Sequence, residues 1–333
     1  MRIAVVIPCF KVKRHIEDVI ARIGPEVEHI FAVDDACPED SGGFIEKTIK
    51  DPRLTVLRHK TNTGVGGAVI TGYRAALDAD AEIVVKIDGD GQMAPELISQ
   101  FVQPIAVGEA DYVKGNRFYS GTAVREMPWV RLFGNAFLSF ITKLSSGYWS
   151  IFDPTNGFTA IHARTLASID LDKVSQRYFF ESDMLIRLGD LRAVVIDIPM
   201  RAVYADEVSG LRVGRVMFEF LWRHLVATLK RVIYMYFLRD FSLASLNLLF
   251  GVLLLGFGVI FGAVAWSESV ATGVPATTGT VMLSALPIVL GFQMLLFFAS
   301  YDIASEPKVP IQRLRITRRI PMLVGSGAKI DDK

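Results

Sequence analysis

Short apolar runs alternate with longer amphipathic stretches between residue 1 and residue 200 of this chain. The runs have the length of β-strands and are rich in β-branched residues; they span 3–8, 29–33, 54–58, 83–87, 112–114, 158–161 and 193–198. Helical periodicity fits the stretches 14–23, 43–49, 67–77, 95–107 and 181–188. Such alternation predicts an α/β fold with a mostly parallel sheet that is covered by helices on both faces.

Two later segments are apolar throughout and carry no charge. Residues 242–267 and 269–301 lack Asp, Glu, Lys and Arg, and they contribute to a hydrophobic content of 51% and a mean hydropathy of +0.36. Each segment exceeds the roughly 20 apolar residues that cross a bilayer. We therefore expect two transmembrane helices at 246–266 and 280–301, joined by a short polar loop; the alternative is a pair of buried core helices.

Basic residues flank this predicted hairpin on one side of the membrane. They occur before it, at Arg212, Arg215, Arg223, Lys230, Arg231 and Arg239, and after it, at Lys308, Arg313, Arg315, Arg318 and Arg319. The connecting loop holds only Glu268. The positive-inside rule then predicts an integral membrane protein whose termini and first 241 residues are cytoplasmic. Residues 213–238 have the pattern of a basic amphipathic helix on the membrane surface.

The same patterns divide the chain into four parts. Residues 1–210 form the α/β domain, 211–241 a juxtamembrane amphipathic helix, 242–302 the transmembrane hairpin and 303–333 a basic cytoplasmic tail. The net charge of +1 conceals the basic cluster, which favours anionic lipid headgroups over nucleic acid as a partner. Composition does not fix an oligomeric state, so association into a homo-oligomer stays open.

Two carboxylates follow the fourth apolar run. The sequence 84–92 reads Val-Val-Lys-Ile-Asp-Gly-Asp-Gly-Gln, which places Asp88 and Asp90 at the carboxyl end of a strand, where open α/β sheets bind ligands. Two hard oxygen donors there suit Mg²⁺ or Mn²⁺ that also holds the phosphates of a substrate. The alternative is a solvated β-turn, because Asp and Gly are common turn residues.

Further polar or ring-bearing residues end other strands and would share this edge of a parallel sheet. Pro8 and Phe10 end the first strand, and Asp34 and Asp35 end the second. The latter carboxylates can accept hydrogen bonds from a ribose or a base, or they can cap a helix or form a turn. Arg117 ends the fifth strand, where it can neutralise a pyrophosphate through bidentate hydrogen bonds.

Two later motifs add candidates for binding and catalysis. A glycine-rich stretch at 62–68 includes Gly64 and can bring backbone N–H groups to a phosphate. Val69 stands where a dinucleotide fingerprint requires its third glycine, so NAD binding is disfavoured. Glu181 and Asp183 stand near the start of a helix, where either can be a general base, a metal contact or a partner for an arginine; the alternative is a helix N-terminus matched to its dipole.

The ordered set of motifs resembles the family-two glycosyltransferases. Within residues 3–210 it runs Val-Val-Ile-Pro-Cys-Phe, Val-Asp-Asp, Asn-x-Gly, Asp-Gly-Asp-Gly-Gln, Gly-Asn-Arg and Asp-x-x-Asn-Gly-Phe. The chain is most similar to polyprenyl-phosphate glycosyltransferases of the dolichol-phosphate mannose synthase type. The resemblance implies a nucleotide-sugar-binding, GT-A-like fold with Asp34 or Asp35 near the nucleoside. It also implies that the metal and diphosphate are surrounded by Asp88, Asp90 and Gln92, with Arg117 nearby.

The chain departs from the family pattern at two places. Phe10-Lys11-Val12 replaces the common Pro-x-Tyr-Asn-Glu sequence, so an acidic contact is missing. The family's Arg…Gly-x-Ser-Lys loop is replaced by a loop with Ser209, and Arg201 or Arg212 then becomes the candidate for binding the acceptor phosphate.

These expectations combine into one leading function and two alternatives. The leading one is inverting, metal-dependent transfer of a hexose from a nucleotide diphosphate sugar to a polyprenyl phosphate at the cytoplasmic face of the membrane. The acceptor phosphate is already anionic, so a strong base is unnecessary, and the hairpin keeps the lipid near the site. The first alternative is transfer to a hydroxyl of a glycan or glycolipid, with Asp183 or Glu181 as the base. The second is a non-catalytic membrane module that binds nucleotide sugars.

Overall fold

A computed structural model describes residues 1–119, 129–200 and 213–314 of the chain. A seven-stranded sheet forms its centre. The strands are β1 (Ile3–Cys9), β2 (His29–Asp34), β3 (Leu54–Arg58), β4 (Ile83–Lys86), β5 (Tyr112–Asn116), β6 (Thr159–His162) and β7 (Val195–Pro199). Their order across the sheet is β3-β2-β1-β4-β6-β5-β7. The mostly parallel α/β fold predicted from the sequence is confirmed.

Helices connect the strands and cover both faces of the sheet. In the α/β part they are α1 (Ile16–Ala21), α2 (Ser41–Thr48), α3 (Val65–Asp78), α4 (Ile98–Ala106), α5 (Trp129–Ser146), α6 (Ala163–Ala167) and α7 (Phe180–Leu191). Apolar side chains from the two faces form two core clusters, one of them around the stacked rings of Phe101 and Phe158. The second contains Tyr73 and Phe180. Strands buried on both faces explain the nearly continuous apolar runs in the sequence.

The direction of β6 departs from a purely parallel sheet. It pairs antiparallel with β4 on one side and with β5 on the other. The chain reaches it from β5 after passing through α5, whose 18 residues the sequence pattern did not identify. Since β4 and β5 remain parallel to each other, their carboxyl ends still meet at the edge that also holds the ends of β1 and β2.

Strand order reverses between β1 and β4, and this reversal positions the site. From β1 the chain moves outward to β2 and β3, then returns to place β4 on the other side of β1. The connections therefore diverge at the carboxyl ends of β1 and β4, which leaves a crevice there. β4 stops just before Asp88, and Gly91 adopts a φ of +77°, a conformation that favours glycine.

Two long apolar helices follow an amphipathic one. Helix α8 (Val213–Ile233) continues through a π-helical turn (Tyr234–Arg239) to α9 (Leu243–Thr272) and α10 (Thr278–Ala304). The last two pack as an antiparallel hairpin, and Gly251, Gly258 and Gly291 lie where the helices approach most closely. Their apolar windows are 11% and 6% buried, so they are not core helices of the α/β part, and their length and composition suit a membrane span.

The hairpin is connected to the α/β part before and after it. Before it, Arg231 of α8 donates from Nε to Leu144 O of α5 at 3.0 Å, and it makes a bidentate ion pair of 2.8 and 2.9 Å with Asp302 of α10. After it, the backbone N–H groups of Ile311 and Gln312 donate to buried Asp111 at 2.8 and 3.2 Å. Residues 311–313, which belong to the predicted basic tail, thus pack on the α/β part. Both ends of the hairpin emerge on the side of the α/β part.

Candidate active site

A cavity of about 910 Å³ occupies the crevice at the carboxyl ends of β1 and β4. Its wall combines residues from both strand ends with α3, the loop before α7, and helices α5 and α8. The predicted site residues that line it are Pro8, Phe10, Asp35, Gly64, Asp88, Asp90 and Glu181. Sequence segments as distant as Pro8 and Glu181 are therefore brought to one place by the parallel sheet and the return of α7.

A buried lysine organises the acidic end of the cavity. Lys86 Nζ lies 2.8 Å from Asp88 Oδ1 and 3.4 Å from Glu181 Oε1, and its side chain is only 1% exposed. Burial alone would lower the pKa of Lys86, but the two carboxylates outweigh it and hold the pKa above its usual value. Lys86 is therefore a cation that joins the segment containing Asp88 and Asp90 to helix α7. Asp90 accepts a 2.9 Å hydrogen bond from the backbone N–H of Gln92.

The absence of a side chain at Gly157 leaves room for the ion pair between Lys86 and Asp88. A Cβ built there would overlap both Asp88 Oδ2 and Lys86 Nζ. The glycine of the Asp-x-x-Asn-Gly-Phe motif thus permits a carboxylate and an ammonium group to pack against the backbone, which any side chain would prevent.

The carboxylate of Asp35 shapes the opposite wall. Its oxygens accept hydrogen bonds from Thr63 N at 2.8 Å and Gly64 N at 2.7 Å, and His59 Nδ1 lies 2.7 Å away. Burial would raise the pKa of Asp35, but these hydrogen bonds outweigh it and hold the pKa below its usual value. Asp35 fixes the 59–64 loop along the cavity.

Asp34 does not line the cavity. Its Oδ1 accepts from Cys37 N at 2.7 Å and its Oδ2 from Gly42 N at 2.5 Å, and the residue is 5% exposed. The carboxylate therefore holds the turn before α2, which is the turn-forming alternative considered from the sequence.

The glycines of the 62–68 stretch allow α3 and the loop before α7 to pack closely. Gly67 N donates to Gln176 O at 2.9 Å, and a Cβ on Gly66 would overlap the backbone oxygen of Ser175. The glycines allow the loop before α7 to lie directly on α3. That loop brings two exposed residues, Arg177 and Tyr178, to the cavity wall.

Two further predicted residues are not among the residues of the cavity wall. Arg117 pairs with buried Asp153 through Nε and Nη2 at 2.8 and 3.0 Å. Asp183 accepts from Ser175 N at 2.7 Å and pairs with Arg187. Because successive helical residues are rotated by about 100°, Asp183 faces a different direction from Glu181 two positions earlier.

Gln92 stands near the site through its backbone N–H, and its side chain is not among the described cavity residues. Arg201, Ser209 and Arg212 lie outside the described residues.

Apolar helices border the cavity on the side of the hairpin. Leu138 of α5 and Phe220 of α8 line it. The outer surfaces of the same helices expose rows of large apolar side chains: Phe133, Phe137 and Phe140 on α5, and Phe218, Trp222, Leu225 and Leu229 on α8. Helices α5 and α8 therefore each contribute both to the wall of the cavity and to an exposed apolar surface.

Several residues of this site were not identified from the sequence. Lys86, Gly157, Arg177 and Tyr178 are the main ones. A signal existed for Lys86, because a lysine within an apolar strand that is buried on both faces needs a carboxylate partner. Arg177 carried no such signal, since its place depends on how the loop before α7 packs on α3.

The acidic end of the cavity fits a hard divalent cation. Among the described residues no group of three or more His, Cys, Asp or Glu side chains encloses a metal. Asp88 and Asp90 supply two carboxylates beside an open cavity. Mg²⁺ and Mn²⁺ suit such oxygen donors, and Mg²⁺ is commonly held by one or two carboxylates together with substrate phosphates.

Comparison with known proteins identifies the family. A model described as glycosyl transferase family 2 matches residues 4–169. Undecaprenyl-phosphate mannosyltransferase of Micrococcus luteus is 30% identical over 225 residues, which cover 65% of this chain and 91% of the relative. The chain belongs to glycosyl transferase family 2.

Other members of the family have related names. Polyprenol monophosphomannose synthase of Mycolicibacterium smegmatis is 29% identical over 228 residues, covering 66% of this chain and 85% of the relative. UDP-N-acetylglucosamine–dolichyl-phosphate N-acetylglucosaminyltransferase of Methanococcus voltae is 28% identical over 247 residues, covering 69% and 98%. The protein is thus a glycosyltransferase that is similar to enzymes named for polyprenyl-phosphate acceptors.

The fold also matches a solved structure. Glucosyl-3-phosphoglycerate synthase from Mycobacterium tuberculosis, crystallised with Mn²⁺, UDP and phosphoglyceric acid, matches with a TM-score of 0.52 and 18% identity, covering 69% of this chain and 78% of that chain. At this identity the match shows a common GT-A-like fold.

Proposed function

We propose that this family-two glycosyltransferase transfers a hexose from a nucleotide diphosphate sugar to a polyprenyl phosphate at the cytoplasmic face of the membrane. One observation carries the proposal: the cavity that contains Asp88 and Asp90 is bordered by Leu138 and Phe220, from helices whose outer surfaces are apolar. A polar donor and a lipid acceptor can therefore meet there. The names of the three relatives support this acceptor class; two of them name mannose as the sugar and one names N-acetylglucosamine.

Different residues of the cavity have different roles in the proposed binding of the donor. Asp35 holds the 59–64 loop as one wall, and Phe10 and Tyr178, which are 45% and 60% exposed, supply rings for stacking against a nucleobase. Lys86 holds Asp88 at the edge of the cavity. Mg²⁺ or Mn²⁺ held by Asp88 and Asp90 would stabilise the negative charge on the departing nucleotide diphosphate.

The acceptor phosphate needs a positive charge and no strong base. Arg177 presents an exposed guanidinium group to the cavity, and Arg201, Ser209 and Arg212 remain proposals for the same task. The phosphate oxygen attacks the anomeric carbon as the bond to the nucleotide diphosphate breaks. Direct displacement without an enzyme nucleophile inverts the configuration at that carbon.

The connection to the hairpin supports a cytoplasmic position for the catalytic part. Both ends of the hairpin lie with the catalytic part, and the basic residues cluster at these ends. The positive-inside rule predicts that such basic ends are cytoplasmic. Lys308→Cys, at an exposed position after the hairpin, should react with a membrane-impermeant thiol reagent only from the cytoplasmic side.

A hydroxyl acceptor is the second candidate function. The position of Glu181 beside Lys86 and the cavity supports it as a base, whereas Asp183 is occupied by Ser175 N and Arg187. Loss of transfer to a hydroxyl on Glu181→Gln, with no transfer to lipid phosphate by the unaltered protein, would favour this function. A non-catalytic module would show no turnover with either acceptor.

Reconstitution tests the proposal directly. The full chain in vesicles with polyprenyl phosphate is incubated with a panel of nucleotide sugars, with Mg²⁺, with Mn²⁺ or with EDTA. We expect lipid-linked sugar with one donor and either metal, loss of product in EDTA, and an inverted anomeric signal by NMR. Absence of lipid-linked product with every donor would contradict the proposal.

A further inference from the structure

A separate polar cavity lies where the catalytic part meets the ends of the two apolar helices. It has a volume of about 320 Å³, and we call it the junction pocket. Its wall contains three arginines, Arg192, Arg231 and Arg239, and one acidic residue, Asp240. Arg192 follows α7, whereas Arg231 and Arg239 belong to α8 and the π-helical turn, so the pocket joins two parts of the molecule.

The three arginines differ in how many hydrogen bonds and ion pairs they form. Arg231 uses its guanidinium group on Asp302, at 2.8 and 2.9 Å, and on Leu144 O at 3.0 Å. Arg192 donates from Nη2 to Ser305 O at 2.8 Å, and Arg239 donates from Nη1 to a backbone oxygen at 3.3 Å. Within residues 1–119, 129–200 and 213–314, neither of the last two forms an ion pair.

Most of the hydrogen-bonding capacity of two arginines in the pocket wall is therefore not used within the described residues. A guanidinium group has five N–H donors, and Arg192 and Arg239 each use one of them on the described residues. A net positive charge remains in the pocket even when Asp302 and Asp240 are both counted against the arginines. An anion with several acceptor oxygens is the ligand that matches this arrangement.

The pocket lies at the level expected for lipid headgroups. Its wall includes Ser242, which precedes α9, and Ser305, which follows α10. At about 1.5 Å per residue, helices of 30 and 27 residues are longer than the hydrocarbon core of about 30 Å, so their ends reach the headgroup region. Tyr301 adds an exposed aromatic ring, a residue type that is enriched at membrane interfaces.

We propose that the junction pocket binds the phosphate headgroup of an anionic phospholipid that is not a substrate. The inference rests on the proposed membrane span. A phosphate between Arg192 and Arg239 would bridge the catalytic part to the juxtamembrane turn. Basic pockets beside cytoplasmic helix ends are suited to such headgroups.

The bound lipid is distinct from the acceptor. Glu181 and Arg192 stand at opposite ends of α7, eleven residues apart, which corresponds to about 16 Å along the helix. A phosphate in the junction pocket is therefore too far from Asp88 and Asp90 to receive a sugar. Its effect is to fix the orientation of the catalytic cavity relative to the membrane.

Lipid retention by the full chain tests the proposal. The protein is purified in detergent, mixed with equal amounts of phosphatidylglycerol and phosphatidylcholine, and examined by native mass spectrometry without any nucleotide sugar. We expect a single phosphatidylglycerol to be retained in preference to phosphatidylcholine. The double variant Arg192→Gln/Arg239→Gln should retain it on the order of tenfold less, because two charge-assisted contacts are lost.

Lys308→Gln is the matched control. It removes one exposed positive charge close to the pocket without altering its wall, and it should retain the lipid as the unaltered protein does. Equal retention of both phospholipids by the unaltered protein would overturn the proposal, and this comparison requires no variant. Displacement of phosphatidylglycerol by millimolar glycerol phosphate would also overturn it, by showing that a soluble phosphate is the ligand.

The outcome is independent of catalysis. A protein that retains phosphatidylglycerol but transfers no sugar would contradict the proposed function and leave the junction pocket intact. A protein that transfers sugar but retains no anionic lipid would contradict the pocket alone.

Discussion

Two carboxylate pairs end neighbouring regions of the same sheet, yet they differ in what surrounds them. Asp34 ends β2 and Asp35 follows it, and all four of their carboxylate oxygens accept hydrogen bonds from nearby backbone N–H groups. Asp88 and Asp90 follow β4 beside the large cavity, where Asp88 pairs with the ammonium group of Lys86. In the first pair Asp35 holds a wall of the site and Asp34 holds the turn before α2, whereas the second pair lies where it can act on a ligand.

The comparison shows that a pair of acids at a strand end does not define a metal site. A carboxylate that accepts several backbone hydrogen bonds is committed to the local fold. A carboxylate beside a cavity, held by one side-chain cation, keeps the capacity to bind a ligand. The partners of the carboxylate distinguish the two cases, and these partners come from distant parts of the sequence.

The largest expected effect is on catalysis, from the pair beside the cavity. Asp90→Asn removes one of two charges proposed to hold the metal ion, so we expect sugar transfer to fall by about a thousandfold or more. The melting temperature should remain near that of the unaltered protein. Transfer of radiolabelled sugar to polyprenyl phosphate measures the effect, and Glu17→Gln on the exposed surface is the control. Retained activity in Asp90→Asn would place the metal elsewhere.

The glycine beside the ion pair should be almost as sensitive. In Gly157→Ala the new methyl group must displace Asp88 or Lys86, and a shift of about 1 Å at a reacting group can cost about a hundredfold in rate. Gly134→Ala is the matched control, because a Cβ there meets no atom within 4 Å. Equal activity of the two variants would show that the Lys86–Asp88 contact does not position the site.

A substitution in the carboxylate pair at the end of β2 should lower stability more than it lowers catalysis. Asp34→Asn places an amide group between two backbone N–H donors, one of which then lacks an acceptor, at a cost of about 1–3 kcal/mol. Thermal unfolding of the purified full chain should show the loss. The KM for the nucleotide sugar should change by less than about threefold, because the side chain does not reach the cavity. A large rise in KM at unchanged stability would contradict this assignment.

The smallest effect is expected from the acid of α7 that faces away from the cavity. Asp183→Asn alters contacts with Ser175 and Arg187 and should lower transfer by less than about threefold. Glu181→Gln, two residues earlier, loses the partner of Lys86 and should lower transfer considerably more. Kinetics of the two variants side by side separate these roles, and a reversed order would make Asp183 the catalytic acid–base residue.

Much of the fold could be predicted because its periodicities are strong. Strands β1 to β5 and the two apolar helices were recognised from continuous apolar runs, which burial on both faces or in lipid requires. Helix α5 was not recognised, since its exposed aromatic side chains interrupt the usual polar face. The antiparallel direction of β6 was also missed, because an apolar run does not encode strand direction.

The candidate site could be predicted where it lies on strand ends and not where it depends on packing. Asp88, Asp90 and Phe10 were identified because parallel strands end at one edge. The pairing of Arg117 with Asp153, which lies 36 residues later in a loop, could not be predicted in the same way, and the role of Arg117 near a diphosphate stays a prediction. Contacts between such distant segments leave no trace in local spacing.

Buried Asp111 has a consequence for how the molecule is made. It accepts from Val194 N within the α/β part, but also from Ile311 and Gln312, which the ribosome adds only after both apolar helices. The catalytic part therefore acquires its last internal partners after the hairpin has been synthesised. We expect a chain ended at Ser305 to be more sensitive to limited proteolysis than the full chain. Completion of the enzyme would then be tied, during biosynthesis, to the arrival of its membrane anchor.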